Sequence, residues 1–221
     1  ILFRDRLEHA VHLAERDHTS FTLMFIDLNG FKQVNDNFGH DAGDAIIRIC
    51  AERLNACLRR SDSVARMGGD EFTLLLQNIA NSTDVAHIAQ KVIDSIQQPA
   101  DINGHEVVVG CSIGIAIYPE AGRDADTLLK HADMAMYKAK QLSGSNYRFF
   151  TEMMNQDVRR QLRQEADLRA ALRYQQFVLH YSPRIDMATG KVVALEAQLR
   201  WDKPGVGLLN PSEFIATAEE S

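Results

Sequence analysis

Leu2, Leu7, Ala10, Val11 and Ala14 recur at helical spacing over residues 2–16 and predict an amphipathic helix. The period then shortens. Residues 21–28 (FTLMFIDL) form an apolar run with β-branched and aromatic members, which predicts a buried strand. Asp27 lies near its end and Asn29-Gly30 closes it with a turn. A short helix is expected over about 31–38. Asp41 reads as the cap of a longer helix through Arg59, with Ile46, Ile47, Ile49, Cys50, Leu54 and Leu58 inward. Residues 63–67 (SVARM) and 71–76 (EFTLLL) read as strands joined through Gly68-Gly69, a hairpin signal because the tight turn needs positive φ. A helix over 82–97 follows, opening with Ser82-Thr83-Asp84. Strands are expected at about 106–110 and 111–118, stopped by Pro119. A helix over about 124–140 and a strand over 147–150 complete the set.

Strands mixed with helices around a central hairpin predict an α+β fold, a sheet with helices packed on it, and not a doubly wound parallel sheet. A first domain is expected over residues 1–150. Residues 152–173 read as a polar helix with Met153, Met154, Val158, Leu162, Ala166, Leu168 and Leu172 on a narrow apolar stripe, a connecting helix (151–174) or a dimer seam. Beyond it, FVLHYSPRID and KVVALEAQLRW read as a strand pair. The last residues read as the start of a helix. The segment 175–221 is expected to be too short to make its own core, a fragment of a second domain.

Composition narrows the function classes. The 221 residues carry a formal net charge of −6, a poor balance for gripping long nucleic acid. A nucleotide remains open, because a metal ion can neutralise its phosphates. Three cysteines, Cys50, Cys57 and Cys111, without a CxxC pair, read as reduced thiols in a cytosolic protein. No apolar run reaches the roughly 18–20 residues of a membrane span, and no signal peptide is visible. The chain begins at Ile1 and not at Met, so it is expected to be a piece of a longer protein, which leaves a sensor or membrane segment upstream open.

The candidate chemistry gathers at strand ends. Asp27 closes one strand, and Asp70 and Glu71 stand at the hairpin tip. Charges at the ends of apolar strands cost desolvation energy unless they are paired or bind metal. Carboxylates beside a sheet suit Mg²⁺, which prefers oxygen ligands and bridges substrate phosphates. The plainer reading is a decorated exposed turn. Neither a P-loop nor a GxGxxG is present. Asn29-Gly30-Phe31 opens a helix whose free N–H groups suit phosphate, or is an ordinary strand-to-helix turn. The histidines other than His40 show no ligand spacing, and none of the eight reads as catalytic.

RMGGDEF at 66–72 resembles the signature of the GGDEF family of diguanylate cyclases. So do FIDLNGFKQVNDNFGHDAGDAII at 25–47, SIGIAIYP at 112–119 and HADMAMYKAK at 131–140, in the family's order and spacing across about residues 1–150. The resemblance implies a central mostly antiparallel sheet surrounded by helices, similar to the palm of nucleotidyl cyclases and polymerases. It implies a reaction that joins two GTP into cyclic di-GMP with release of pyrophosphate, on Mg²⁺ or Mn²⁺, with two domains facing each other in an at least transient homodimer. By the same resemblance Asp27 and Asp70 would bind the metal with the main-chain carbonyl of Leu28. Glu71 would lie beside the 3′-hydroxyl as metal ligand or general base. Asn35 and Asp44 would read guanine, with Phe31 beside them, and Lys32 and Lys140 would touch phosphates. An amide and a carboxylate suit guanine's mix of donors and acceptors. Arg59 and Asp62 match the family's RxxD product-inhibition motif. The chain departs from the pattern at Gly144, where the family often carries a basic phosphate contact.

The tail, HYSPRIDMATGKVVALEAQLRW and LLNPSEFIATAEES, resembles the opening of an EAL domain, a cyclic-di-GMP phosphodiesterase or receptor. Glu196 would be its first metal ligand and Arg200 a phosphate contact. Gln198 replaces the signature leucine, and Ser182 stands where the family usually has a glutamine. The remaining metal ligands would lie beyond Ser221, so phosphodiesterase activity is not expected of these residues alone. The expectations are therefore a cytoplasmic cyclase with a product feedback site, from a tandem protein, or alternatively a GTP-binding module that regulates a downstream phosphodiesterase.

Overall fold

The strand β1 (Phe21–Asn29) is buried from Phe21 through Leu28, as an apolar run on both faces requires of a central strand. In the computed structural model, which describes residues 2–102 and 104–220 and leaves aside the side chains of 156–162, 165, 216, 219 and 220, this strand organises a five-stranded sheet. Its partners are β3 (Glu71–Gln77) on one side and β6 (Gly110–Tyr118) on the other, both antiparallel. The outer strands are β2 (Ser63–Gly68), antiparallel to β3, and β7 (Asn146–Phe149), parallel to β6. The expected α+β class and mostly antiparallel sheet are thus found.

Side-chain alternation sends each strand's two faces into two cores. Met24, Ile26 and Leu28 join Phe72, Leu74, Leu76, Ile113 and Ile115 in the larger core. It lies under α2 (Phe31–Phe38), α3 (His40–Cys57) and α4 (Ser82–Ile96), through residues such as Val34, Ile46 and Val92. Phe21, Leu23 and Phe25 face the other way. With Leu75, Ala116 and Tyr118 they pack against α1 (Leu2–Asp17) and α5 (Ala125–Lys140).

Some expectations need correction. Phe3, not Leu2, completes the inner stripe of α1; Leu2 is exposed. Asp41 is not the cap of α3. Gly39 alone joins α2 to α3 and holds the N-cap position, so Asp41 already lies in the first turn, where its charge suits the helix dipole. That helix stops at Cys57, two residues short of Arg59, as Leu58 turns extended. Ile49 and Leu58 are only partly buried. The helix α4 opens at Ser82 as expected, capped by Asn81, which accepts from the backbone N–H of Thr83 and Asp84. Residues 106–110 are not one strand: β4 (Ala100–Ile102), which the apolar pattern did not reveal, and β5 (His105–Val107) form a separate hairpin.

By contacts the chain divides into residues 1–154 and 155–221. The helix α6 (Glu152–Arg173) runs from one to the other. In the second unit β8 (Phe177–Ile185), β9 (Val192–Lys203) and β10 (Gly207–Leu209) form an antiparallel sheet, followed by a 3₁₀ turn (Pro211–Glu213) and α7 (Ile215–Glu220). This unit has a small core, Leu168 and Ala171 of α6 with Trp201 and Phe214, to which residues before 175 contribute half. Of the expected stripe on α6, Met153 and Leu172 are exposed, Leu168 is buried, and the side chains of Val158 and Leu162 lie outside those described. Among the described residues no helix is long and apolar enough to cross a membrane.

Candidate active site

The side chains facing α5 along β1 run Phe21, Leu23, Phe25 and then Asp27. Three apolar residues fill the core and the fourth, a carboxylate, reaches its rim. Asp27 stands opposite Glu71 of β3 on one side and Ser112 of β6 on the other. Register therefore puts two acids and a hydroxyl in one row on one face of the sheet. The hairpin tip is tied to the same strand: the N–H of Leu28 donates to the carbonyl of Asp70 at 3.2 Å. Gly69 adopts the expected positive φ of 51°, and Arg66 Nε braces the turn by donating to the Gly69 carbonyl at 2.9 Å.

Asp27 is buried, with a relative exposure of 6%. Its carboxylate accepts from Lys140 Nζ at 2.7 Å. Lys140 ends α5, and α5 reaches the sheet because Gly114 carries no side chain. A Cβ there would stand 1.8 Å from the carbonyl oxygen of Ala132 and 2.2 Å from the N of Met136. The same close approach carries in Asp133, a site residue the sequence reading missed. Desolvation and then the charge of Asp27 hold the Asp133 carboxyl above the usual range. Glu71 is likewise raised, first by desolvation, then by Asp133, Asp27 and Asp70, while Lys140 works in the opposite sense. Three other acids and one ammonium group thus act on Glu71.

The donor set fits a hard divalent cation. Asp27, Asp70 and the Leu28 carbonyl offer oxygen only, and Asp27 already holds a cation in the form of Lys140. Among the described residues no three His, Cys, Asp or Glu side chains form a ready cage. Mg²⁺ does not need one, since it is usually held by one or two carboxylates, waters and substrate phosphates.

A second group lies where β1 runs into α2. Phe31 and Asn35 occupy successive turns of α2 and are partly buried, while Lys32 is exposed. Asp44, exposed, lies in the first turns of α3 and lines a cavity of about 460 Å³ with Ile47, Arg48, Ala51, Arg66 and Phe72 among its walls. The side chain of Asn29 was also missed. Its amide accepts from Ser112 Oγ at 3.0 Å and donates to the Gly144 carbonyl at 3.2 Å. Next to it, Ser145 Oγ accepts from the N–H of Cys111 at 3.0 Å. The loop that contains Gly144 is therefore pinned to the strand ends, with Gly144 at a φ of 82°.

Arg59 and Asp62 lie in the connection from α3 to β2. Asp62 accepts from the backbone N–H of Arg59 at 2.9 Å and of Gln77 at 3.2 Å. Its carboxylate has a structural duty, and the exposed Arg59 guanidinium is not its partner in those bonds. All three cysteines are free; burial pushes Cys50 to about 11 and Cys111 to about 12, so neither supplies a thiolate. In the second unit Glu196 and Arg200 share β9. Glu196 is 3.9 Å from Arg184, and Arg200 donates to the Gln198 side chain at 2.8 Å.

Comparison with known proteins places the chain by family and fold. The family model described as diguanylate cyclase, GGDEF domain, matches residues 1–147, and the EAL domain model matches 165–221. The chain is 43% identical over 221 residues to the bifunctional diguanylate cyclase/cyclic di-GMP phosphodiesterase MucR of Pseudomonas aeruginosa, covering all of this chain and 32% of MucR. It is 39% identical over 218 residues to the cyclic di-GMP phosphodiesterase PdeR of Escherichia coli, covering 99% of this chain and 32% of PdeR. The chain thus spans about a third of the length of these relatives. Among solved structures, the GGDEF domain of TpbB (YfiN) from Pseudomonas aeruginosa superimposes with a TM-score of 0.69 at 38% identity, covering 72% of this chain and 92% of that one.

Proposed function

The chain belongs to the GGDEF family of diguanylate cyclase domains and continues into the opening of an EAL domain, and from that premise we propose that its first unit condenses two GTP into cyclic di-GMP. The observation that carries this reading is the row Asp27–Glu71 with Lys140 on Asp27, an acid cluster that already holds a cation at the rim of the central strand. Asp27, Asp70 and the Leu28 carbonyl would hold Mg²⁺ or Mn²⁺ carried in with the triphosphate. The ion would neutralise the phosphates and polarise the α-phosphate. Lys32 and Lys140 receive phosphate oxygens. Asn35 and Asp44 select guanine, with Phe31 alongside. Glu71 stands beside the 3′-hydroxyl of the bound nucleotide as ligand or proton acceptor. That hydroxyl attacks the α-phosphate of GTP held by a second domain, and pyrophosphate leaves. A site that holds one GTP completes only half of the reaction, so the active form is a dimer, at least in passing. Arg59 with the Asp62 turn receives the product as an inhibitor. The protein works in the cytoplasm.

Nucleotide chromatography after incubation with GTP and Mg²⁺ tests this. Wild type is expected to form cyclic di-GMP and pyrophosphate, and Asp70→Ala to form neither. A protein freed of bound product that binds GTP at high concentration and forms no cyclic di-GMP would refute it.

One observation favours a second reading. Position 144 is a glycine and carries no basic side chain, while its carbonyl accepts from Asn29. Losing a charge-assisted phosphate contact costs about 1–3 kcal/mol. A domain that binds GTP but turns it over slowly would serve as a regulator of a phosphodiesterase in the same protein. Hydrolysis of cyclic di-GMP by the full-length protein would then rise with GTP, and Asp70→Ala would remove the rise.

A further inference from the structure

Gly43 is buried in the second turn of α3. A Cβ on it would stand 2.0 Å from Asn35 Oδ1, 3.0 Å from Asn35 Cγ and 3.2 Å from Phe31 Cζ. The carboxamide of Asn35 therefore lies directly over the Cα of Gly43, in the one place on α3 where no side chain stands between the helices. Two backbone bonds fix the spacing. The N–H of Gly39 donates to the Asn35 carbonyl at 2.9 Å, and the N–H of Gly43 donates to the Gly39 carbonyl at 3.3 Å. Asn35, Gly39 and Gly43 thus form a two-step ladder across the α2–α3 joint, and Asp44 is the next residue along.

We infer that Gly43 is a specificity-positioning residue for the nucleotide base. It touches no substrate atom itself. It gives the Asn35 amide a seat one residue before Asp44 on α3, from which one amide and one carboxylate would meet the same purine edge. This deepens the function proposed above and rests on Asn35 and Asp44 as the guanine readers. With a methyl group at position 43 the amide must leave its seat, by rotation or by separation of the helices. The pair then loses its shared aim and guanine loses its advantage over adenine, whose edge carries a different order of donors and acceptors.

A four-protein cycle tests this: wild type, Gly43→Ala, Asn35→Ala and the double variant. Calorimetric titration would use the α,β-methylene analogues of GTP and ATP with Mg²⁺, whose α–β linkage cannot be cleaved. Gly43→Ala is expected to weaken the guanine analogue at least about tenfold, on the scale of one lost hydrogen bond to a charged or amide partner. The adenine analogue should change less than twofold. In the Asn35→Ala background the same glycine change should alter neither by more than twofold. Thermal melts give a second readout with a change of sign. Alanine is the better helix former, so Gly43→Ala should raise the melting temperature by about 2–4 °C where the amide is gone, and should lower it where the amide is present.

Additive losses of affinity would overturn the inference, as would a Gly43→Ala protein with wild-type preference. If the single variant fails to fold and the double variant folds, the clash is with the amide and the inference stands. If neither folds, Gly43 serves the backbone alone and the inference falls. An Asn35→Ala protein that keeps full guanine preference would instead refute the reading of Asn35, whatever Gly43 does.

Discussion

Lys140 Nζ and Asp27 Oδ1 are 2.7 Å apart, and they come from opposite ends of the domain's sequence. The carboxylate is buried while the lysine side chain is 49% exposed, so the pair sits at the solvent boundary of the site. In this form the ammonium takes the place a cation would take on Asp27. Lys140→Met should therefore bind Mn²⁺ alone about two- to fivefold more tightly, the range of a half-exposed ion pair. It should bind the GTP analogue with Mg²⁺ at least about tenfold more weakly, because a phosphate contact is lost. Titrations with and without nucleotide measure both, and an unchanged Mn²⁺ affinity would show that Lys140 does not compete for Asp27.

The Gly114 contact gives a prediction of stability and of site geometry. A methyl group 1.8 Å from the Ala132 carbonyl forces α5 away from β6. Overpacking of this kind costs about 3 kcal/mol, or a fall in melting temperature of roughly 10 °C for a domain of this size. Because Lys140 and Asp133 ride on α5, Gly114→Ala should also lose cyclase activity beyond what the unfolded fraction accounts for, as measured well below the melting temperature.

Asp62 and Arg59 separate by assay. Asp62→Ala leaves the N–H of Gln77 and of Arg59 without their acceptor and should lower stability by about 1–3 kcal/mol. Arg59→Ala should leave the melting curve within about 0.5 kcal/mol of wild type and remove inhibition by cyclic di-GMP. Product inhibition curves beside melts check this. Loss of inhibition in Asp62→Ala alone would not identify a ligand contact, since the turn itself changes.

The cap of α5 carries a pH dependence. Asp124 accepts from the N–H and hydroxyl of Thr127, and these bonds hold its carboxyl below the usual range. A carboxyl depressed in the folded state contributes stability that is present above its unfolded pKa, near 3.8, and lost as pH falls through the lower folded value. Asp124→Ala should cost about 1 kcal/mol at neutral pH. Asp124→Asn should keep most of the cap and flatten the stability profile below about pH 4. Melts across pH 2–7 read both.

Much of this site was legible because a charge interrupts a pattern. Asp27 ends an apolar strand, and Gly68-Gly69 announces a turn with two acids behind it. Family resemblance added Asn35, Asp44 and Lys140. Asp133 and Asn29 escaped for physical reasons. On α5, Asp133 is one more polar residue of an amphipathic helix, and only the missing side chain of Gly114, far off in sequence, brings it to Asp27. Asn29 looked like half of a turn, while its amide ties β6 to the Gly144 loop. The β4–β5 hairpin escaped because strands of three residues are too short to display a period. Gly43 shows the same limit: the sequence prints a glycine, and the vacancy it leaves has meaning only once α2 lies against α3.

The edge strand β7 has a consequence for anyone who cuts or splices this protein. Asn146 pairs with Ser112, beside the acid row, and Phe150 still donates its N–H to Ile115 before α6 begins at Glu152. The exit of the domain is therefore tied to the site, pinned through Ser145 and Gly144 to the strand ends next to Asp27. A truncation placed at Lys140, where the last family block ends, would leave the sequence motifs intact and remove that tie. Junctions for fusions and sensor swaps belong after Phe150, and a twist applied there is delivered to Asn29 and Ser112 through a handful of bonds.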